Sequence, residues 1–241
     1  MAEIESRNGP ADLRRQLPLG IRLHDDATLA NFLPRPALEP VLAALQGQDQ
    51  PTGERVIYLH GPAGSGKTHL LQGACHLSVD TALYLPLAEL AKYPAADVLQ
   101  GVAAAQRVCL DDIHAVLNRP EWELALFNLY NQAQQQGTVL LIAADAAPRA
   151  LSLGLPDLRS RLSAAVVYQL DSAADEEKSK ILQFRARQRG MSLGADIASY
   201  IVTRAPRDLE KLLNILNILD QASLEQKRLL SIPFVKELLG W

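Results

Sequence analysis

A chain of 241 residues that is 48% hydrophobic and 21% charged can bury a main core and a smaller second one, which excludes a largely disordered protein. Its formal net charge of −3 excludes the broad basic surface of a direct nucleic-acid binder, although another protein could tether it to DNA. No apolar run reaches the ~20 residues of a membrane helix, and the charged start at 1–10 lacks the apolar stretch of a signal peptide, so the expected compartment is the cytoplasm, with no membrane partner.

Residues 1–36 have little periodicity and read as a leader that includes a mobile tail. Beyond them, strands are expected at 55–60, 81–85, 107–111, 138–143 and 166–170, with helices at 67–77, 95–105 and 121–136 between them. This alternation predicts an α/β fold, a parallel sheet with crossover helices. The unbroken apolar run from Val139 to Ala143 suits a central strand covered on both faces. From Asp175 onward only helices are expected, at 175–189, 196–203 and 206–219, with a short one after Pro233. Asp175, Glu176 and Glu177 suit the positive end of the first, and Gly190 ends it. The division that follows is a leader at 1–23, an α/β domain at 24–172, and a small all-helical domain at 173–241 that is too small to be robust alone and packs on the sheet domain. Cys75 and Cys109 lie in apolar segments without metal or redox spacing and read as small buried hydrophobes.

The chemistry concentrates at Gly61, Pro62, Ala63, Gly64, Ser65, Gly66, Lys67 and Thr68, a complete Walker A sequence between an expected strand and an expected helix. Glycines let successive backbone amides approach phosphates at a helix start, Lys67 is placed to reach the β- and γ-phosphates of ADP or ATP, and Thr68 to offer its hydroxyl to Mg²⁺. The plain alternative is a glycine-rich turn. About forty residues on, Val108, Cys109, Leu110, Asp111 and Asp112 form an apolar strand ending in two carboxylates, the Walker B arrangement. Asp111 would hold Mg²⁺ through water, and Asp112 would orient or polarise an attacking water.

On these motifs the chain resembles the AAA+ class and, within it, the family of the bacterial replication initiator DnaA, over about residues 24–222. The resemblance implies a P-loop sheet domain with a helical lid. It makes Asp145, after the fourth strand, a sensor residue, and makes the loop from Gly154 to Leu162 an arginine-finger segment with Arg161 as finger and Arg159 beside it. It also turns Arg207, within Ala205, Pro206, Arg207, Asp208, Leu209 and Glu210, towards the phosphates, and places a base-binding segment near His24 and Asp25. Any one of these arginines could instead cap a helix or make a surface ion pair. Such a finger acts in trans, on a neighbour's γ-phosphate. A homo-oligomer is compatible with the class.

Two departures from DnaA narrow the reading. The chain stops at Trp241 after one short helix, which leaves no helix-turn-helix for direct sequence-specific DNA binding. Gln16, Leu17, Pro18, Leu19, Gly20 and Ile21 resemble the short peptide that docks on the DNA-polymerase sliding clamp, although a segment of this kind can also simply pack along a domain edge. Both departures, and an ending similar in Ile232, Pro233, Phe234, Val235, Lys236, Glu237 and Leu238, resemble the regulatory-inactivator (Hda) branch of the family. That branch implies binding to the DNA-loaded clamp, stimulated hydrolysis of DnaA-bound ATP, ADP as a structural ligand and weak intrinsic ATPase activity. Two rivals are an autonomous ATPase similar to the helicase loader DnaC and a nucleotide kinase; the finger-like loop and helical lid argue against the kinase.

Overall fold

The structure is a computed structural model that describes residues 27–241 except 79, 80 and 207. In chain order the elements are α1 (Glu39–Gly47), β1 (Val56–His60), α2 (Lys67–Cys75), β2 (Ala82–Pro86), α3 (Leu87–Leu90), α4 (Ala95–Leu99), β3 (Arg107–Asp111), α5 (Pro120–Gln136), β4 (Val139–Ala144), α6 (Pro156–Ser163) and β5 (Val166–Gln169). A helical tail follows: α7 (Asp175–Gln188), α8 (Ala195–Arg204), α9 (Leu209–Gln226) and α10 (Ile232–Leu239). The five strands pair in parallel in the order β2-β3-β4-β1-β5, so the expected α/β sheet is present with β1 and β4 side by side at its centre.

Strand period 2 divides the core into two layers. Ile57 and Leu59 of β1, Cys109 of β3 and Leu141 and Ala143 of β4 face one side, where α1 and α2 cover them. Tyr58, Val108, Leu110, Leu140 and Ile142 face the other, under α3, α4 and α5, around the fully buried Trp122. Each fully buried Leu, Ile or Val removes apolar surface worth about 1.5–3 kcal/mol, so both layers are needed to hold a sheet this apolar. Cys75 and Cys109 are both buried, as expected, but α2 and β3 also bring their sulfurs to 3.2 Å, a contact that a sequence separation of 34 does not announce. Arg107, 1% exposed, donates to the Ala74 carbonyl at 2.6 Å and pairs with Asp49 at 2.8 Å, which ties the end of α2 to the loop after α1.

The helical tail has its own core of Leu182, Ile197, Ile201, Leu212, Leu216, Leu219 and Val235. α7 begins and ends near the expected positions: the Ala174 amide donates to the Glu177 carboxylate at 2.7 Å, and Gly190 follows at φ 74°. α9 continues past the expected end at 219 because Leu216, Leu219 and Ala222 keep the helical apolar spacing. Two other expectations change. The helix expected at 95–105 stops at Leu99, since Gly101 is left-handed at φ 74° and a 3-10 turn, Val102–Ala104, replaces the rest. The arginine segment expected as a loop is the helix α6, started by Pro156 in its first turn and held by buried Leu158 and Leu162, four apart.

The described part of the leader, 27–36, is packed rather than loose. Thr28 caps a short 3-10 turn, Leu29–Asn31, and its carbonyl contacts His69 Nε2 at 2.8 Å. Leu29 lies against Gly73 of α2, where a Cβ would come within 2.9 Å of the Leu29 backbone nitrogen. Replacing glycine by alanine in a helix interior would by itself gain ~1 kcal/mol. A clash with backbone cannot be relieved by a rotamer, and overpacking costs about 1–3 kcal/mol. Gly73→Ala is therefore expected to lower the urea midpoint and to speed amide exchange at 29–32; a raised midpoint with unchanged exchange would contradict this packing.

Candidate nucleotide site

Parallel strands deliver their following loops to one edge, and ligands bind there where neighbouring crossovers run in opposite directions. Here β1 leads away towards β2 while β4 leads across β1 to β5, so the phosphate loop, the Asp111–Asp112 pair and Asp145 come together beyond the strand ends. The loop leaves β1 at Gly61, where φ is 154° and a Cβ would lie 2.0 Å from the Leu170 carbonyl oxygen. Only glycine passes there without displacing the segment after β5, whose Leu170 amide donates to His60 at 2.7 Å. Gly66, left-handed at φ 101°, then starts α2.

Lys67 is 8% exposed, and its ammonium donates to the carbonyls of Gly61 at 2.7 Å and Pro62 at 2.9 Å. Burial lowers its pKa, while the negative charges of Asp112, Asp111 and Asp145 oppose that shift. The three carboxylates therefore share the electrostatic neighbourhood of the P-loop lysine. Burial raises the Asp112 pKa, helped by Asp111, and Asp112 is also held left-handed at φ 52°. Asp111, 2% exposed, accepts from the Tyr84 hydroxyl at 2.8 Å and from the Asp112 amide at 3.1 Å. Burial raises the pKa of Tyr84, which keeps it a neutral donor to that carboxylate. Burial and Lys67 lower the pKa of His60 at the end of β1. Asp145 is exposed and lies 3.8 Å from His114 Nδ1.

A cleft of about 560 Å³ opens over this edge, within the size range of small-ligand sites. Gly64, Ser65, Gly66, Lys67 and Thr68 line it from below, and Ala27, Asn31, Phe32 and Leu33 from one side. Arg185, Arg189, Leu213 and Asn217 line it from the helical tail. Ser65 Oγ is buried without a hydrogen-bond partner, a hydroxyl suited to a phosphate oxygen. Thr68 and Asp111 carry hard oxygen donors of the kind that Mg²⁺ takes, and among the described residues no three or more His, Cys, Asp or Glu cluster as a metal site.

The finger candidates separate clearly. Arg159 is half-buried and donates to the carbonyls of Arg149, Leu151 and Leu153, so it fixes backbone. Arg161 is exposed, with its guanidinium carbon 6.0 Å from the Tyr130 ring centroid. Arg207, His24, Asp25 and the segment Gln16, Leu17, Pro18 and Leu19 lie outside the described residues. Sequence reasoning missed the wall at 27–35 and the tail residues Arg185 and Arg189. The signal for the latter was present, since both are basic residues four apart on one helix face.

Comparison with known proteins agrees with this geometry. A family model described as the Hda lid domain matches residues 175–239. An uncharacterised protein of Haemophilus influenzae is 43% identical over 232 residues, 95% of this chain and all of that one. The chain belongs to one family with that Haemophilus influenzae protein, and its helical tail is similar to the Hda lid domain. Domain III of the Thermotoga maritima replication initiation protein DnaA superposes with a TM-score of 0.76 at 20% identity, covering 91% of this chain and 98% of that one. AMPPCP-bound DnaA from Aquifex aeolicus superposes with a TM-score of 0.69 at 18% identity over 86% of this chain and 69% of that one. No described helix is long and apolar enough to cross a membrane.

Since Asp112 has a folded pKa above its ordinary value of 3.8, the folded protein holds that proton more tightly than the unfolded chain. Its stabilising contribution is complete below pH ~4 and is lost as pH rises through the folded pKa. Asp112→Asn, which keeps a side chain tolerant of left-handed backbone, is expected to raise the urea midpoint at pH 7 and to match wild type near pH 3. An equal or lower midpoint at pH 7 would show that the carboxylate carries no such cost.

Proposed function

We propose that this AAA+ protein is a negative regulator of replication initiation that stimulates hydrolysis of DnaA-bound ATP while docked on the DNA-polymerase sliding clamp. Its working parts are a leader at 1–23 with the clamp-binding residues Gln16, Leu17, Pro18 and Leu19, an AAA+ domain at 24–172 and a lid at 173–241, and it works in the cytoplasm. The observation that carries this reading is the exposed guanidinium of Arg161 on α6, in a chain whose tail matches the Hda lid, while the neighbouring Arg159 is occupied by backbone.

Within this reading the chain's own nucleotide, ADP or ATP, is a structural ligand. Bound Mg²⁺ supplies charge neutralisation for the phosphates. Gly61, Pro62, Ala63, Gly64, Ser65 and Gly66 would wrap the phosphates with backbone amides, and Lys67, whose ammonium now donates to the Gly61 and Pro62 carbonyls, would supply positive charge to them. Thr68 and Asp111 would hold the Mg²⁺ shell, and Arg207 would contribute from the lid. Asp145 stands as sensor at the end of β4. The start of α9 already lies against Gly64 of the P-loop, and α6 would hold Arg161 out to the partner's γ-phosphate, where it would stabilise transition-state charge. Clamp docking raises the local concentration of the finger without a strong direct contact.

The placement of Asp112 near Lys67 favours a second reading, an autonomous ATPase of the helicase-loader kind, which would turn over ATP at a substantial rate without DnaA. Arg161→Ala is expected to lower stimulated hydrolysis of DnaA-bound ATP by about 10³-fold while leaving ADP affinity unchanged, and full stimulation would remove the finger assignment. Replacing Gln16 and Leu17 by alanine is expected to abolish binding to the clamp in a pull-down with clamp-loaded DNA; retained affinity would return the leader to a packing role.

A further inference from the structure

Glu123 lies outside the nucleotide cleft, yet it is a carboxylate only 3% exposed in the middle of the apolar layer around Trp122. Such a group persists in a core only when its acceptor capacity is met. It is met here by backbone from two separate loops. Oε1 accepts from the Asn118 amide at 2.8 Å, both oxygens accept from the Gly154 amide at 3.0 Å, and Oε2 accepts from the Leu155 amide at 2.8 Å. Asn118 ends the turn that follows Asp112 and is itself left-handed at φ 61°. Gly154 and Leu155 are the entry to α6. One carboxylate therefore ties the loop after the Asp111–Asp112 pair to the start of the helix that carries Arg161.

The same segment is held from its other side. Arg159 takes the carbonyls of Arg149, Leu151 and Leu153, while the amides of 154 and 155 go to Glu123. Seven residues along α5 from Glu123, about two helical turns, stands Tyr130, whose ring lies beneath the Arg161 guanidinium. Leu126 lies between them on that face, in contact with the apolar cluster that includes Leu158 and Leu162. One face of α5 thus sets both where α6 begins and where its arginine sits.

We infer that Glu123 is a positioning residue for the trans-acting Arg161, fixing α6 relative to the Asp111–Asp112 loop through three backbone amides; this rests on the arginine-finger reading proposed above. A neutral glutamine would keep the shape but turn a donor amino group towards at least one of the three N–H donors, so α6 would lose its fixed start. An arginine displaced by about 1 Å can lose about 100-fold in rate.

The test compares Glu123→Gln and Arg161→Ala with wild type in the full chain, using ATP-loaded DnaA and titrating each variant to saturation. Glu123→Gln is expected to lower the maximal stimulated rate about 10- to 100-fold, with half-saturation and ADP affinity unchanged and faster amide exchange confined to 118 and 154–155. A purely structural role would instead change ADP affinity and half-saturation together with the rate, and that result overturns the inference. Full maximal rate in Glu123→Gln beside an inactive Arg161→Ala overturns it as well, whereas full rate in both variants removes the finger reading beneath it. Should Glu123→Gln fail to fold, wild-type exchange decides. The Gly154 and Leu155 amides are expected to be protected by about 100-fold or more, and unprotected exchange there overturns the clamp.

Discussion

The buried ammonium of Lys67 is the constraint on which the rest of the site depends. A cation taken out of water must be met by donors' partners or by opposite charge. Here two carbonyls of its own loop do the first and three aspartates do the second. The sheet order makes this possible, because β1, β3 and β4 end side by side and release their loops to the same edge. The arrangement leaves Asp112 with a raised pKa in left-handed backbone, a local cost that a protein retains where a ligand uses it.

Around that charge the described residues line the cleft from three sources. The strap at 27–38 runs over α2, with Leu29 on Gly73 and the Phe32 ring against Gly66. It also reaches the lid, since Arg35 pairs with Glu177 at 3.3 Å and Arg185 donates to the Asn31 carbonyl, and Arg35 donates to the Asp171 carbonyl just before it. Gly64 of the phosphate loop approaches the start of α9. A nucleotide entering the cleft would therefore touch strap, phosphate loop and lid together, and could set lid orientation through contacts already in place rather than through a distant relay.

The parts of this fold legible in sequence were those with strong local chemistry. The glycines and lysine of the P-loop, the apolar run ending in two aspartates and the acidic start of α7 each carry their reason within a few residues. α6 carries helix signals in Pro156 and the Leu158–Leu162 spacing, while its arginines resemble those of a finger loop. The Cys75–Cys109 contact and the amides collected by Glu123 depend on tertiary neighbours and have no local signature. The strap at 27–36 has no periodicity to announce its packing, which comes from a close approach to a glycine and from a hydrogen bond to its backbone. Sequence order could not separate Arg159 from Arg161, whereas their partners do.

A chain with this site can be a slow ATPase in its own right or a nucleotide-locked tool acting on another molecule's ATP, and both use the same cradle. What distinguishes them is whether the filled cleft acts by holding strap, lid and α6 in register for a partner. The most direct measurement is hydrolysis of ATP bound to DnaA, with clamp loaded on DNA, by this protein prepared with ADP and prepared nucleotide-free. The account predicts fast hydrolysis only with the ADP-filled protein; equal rates from the two preparations, or none from either, would contradict it.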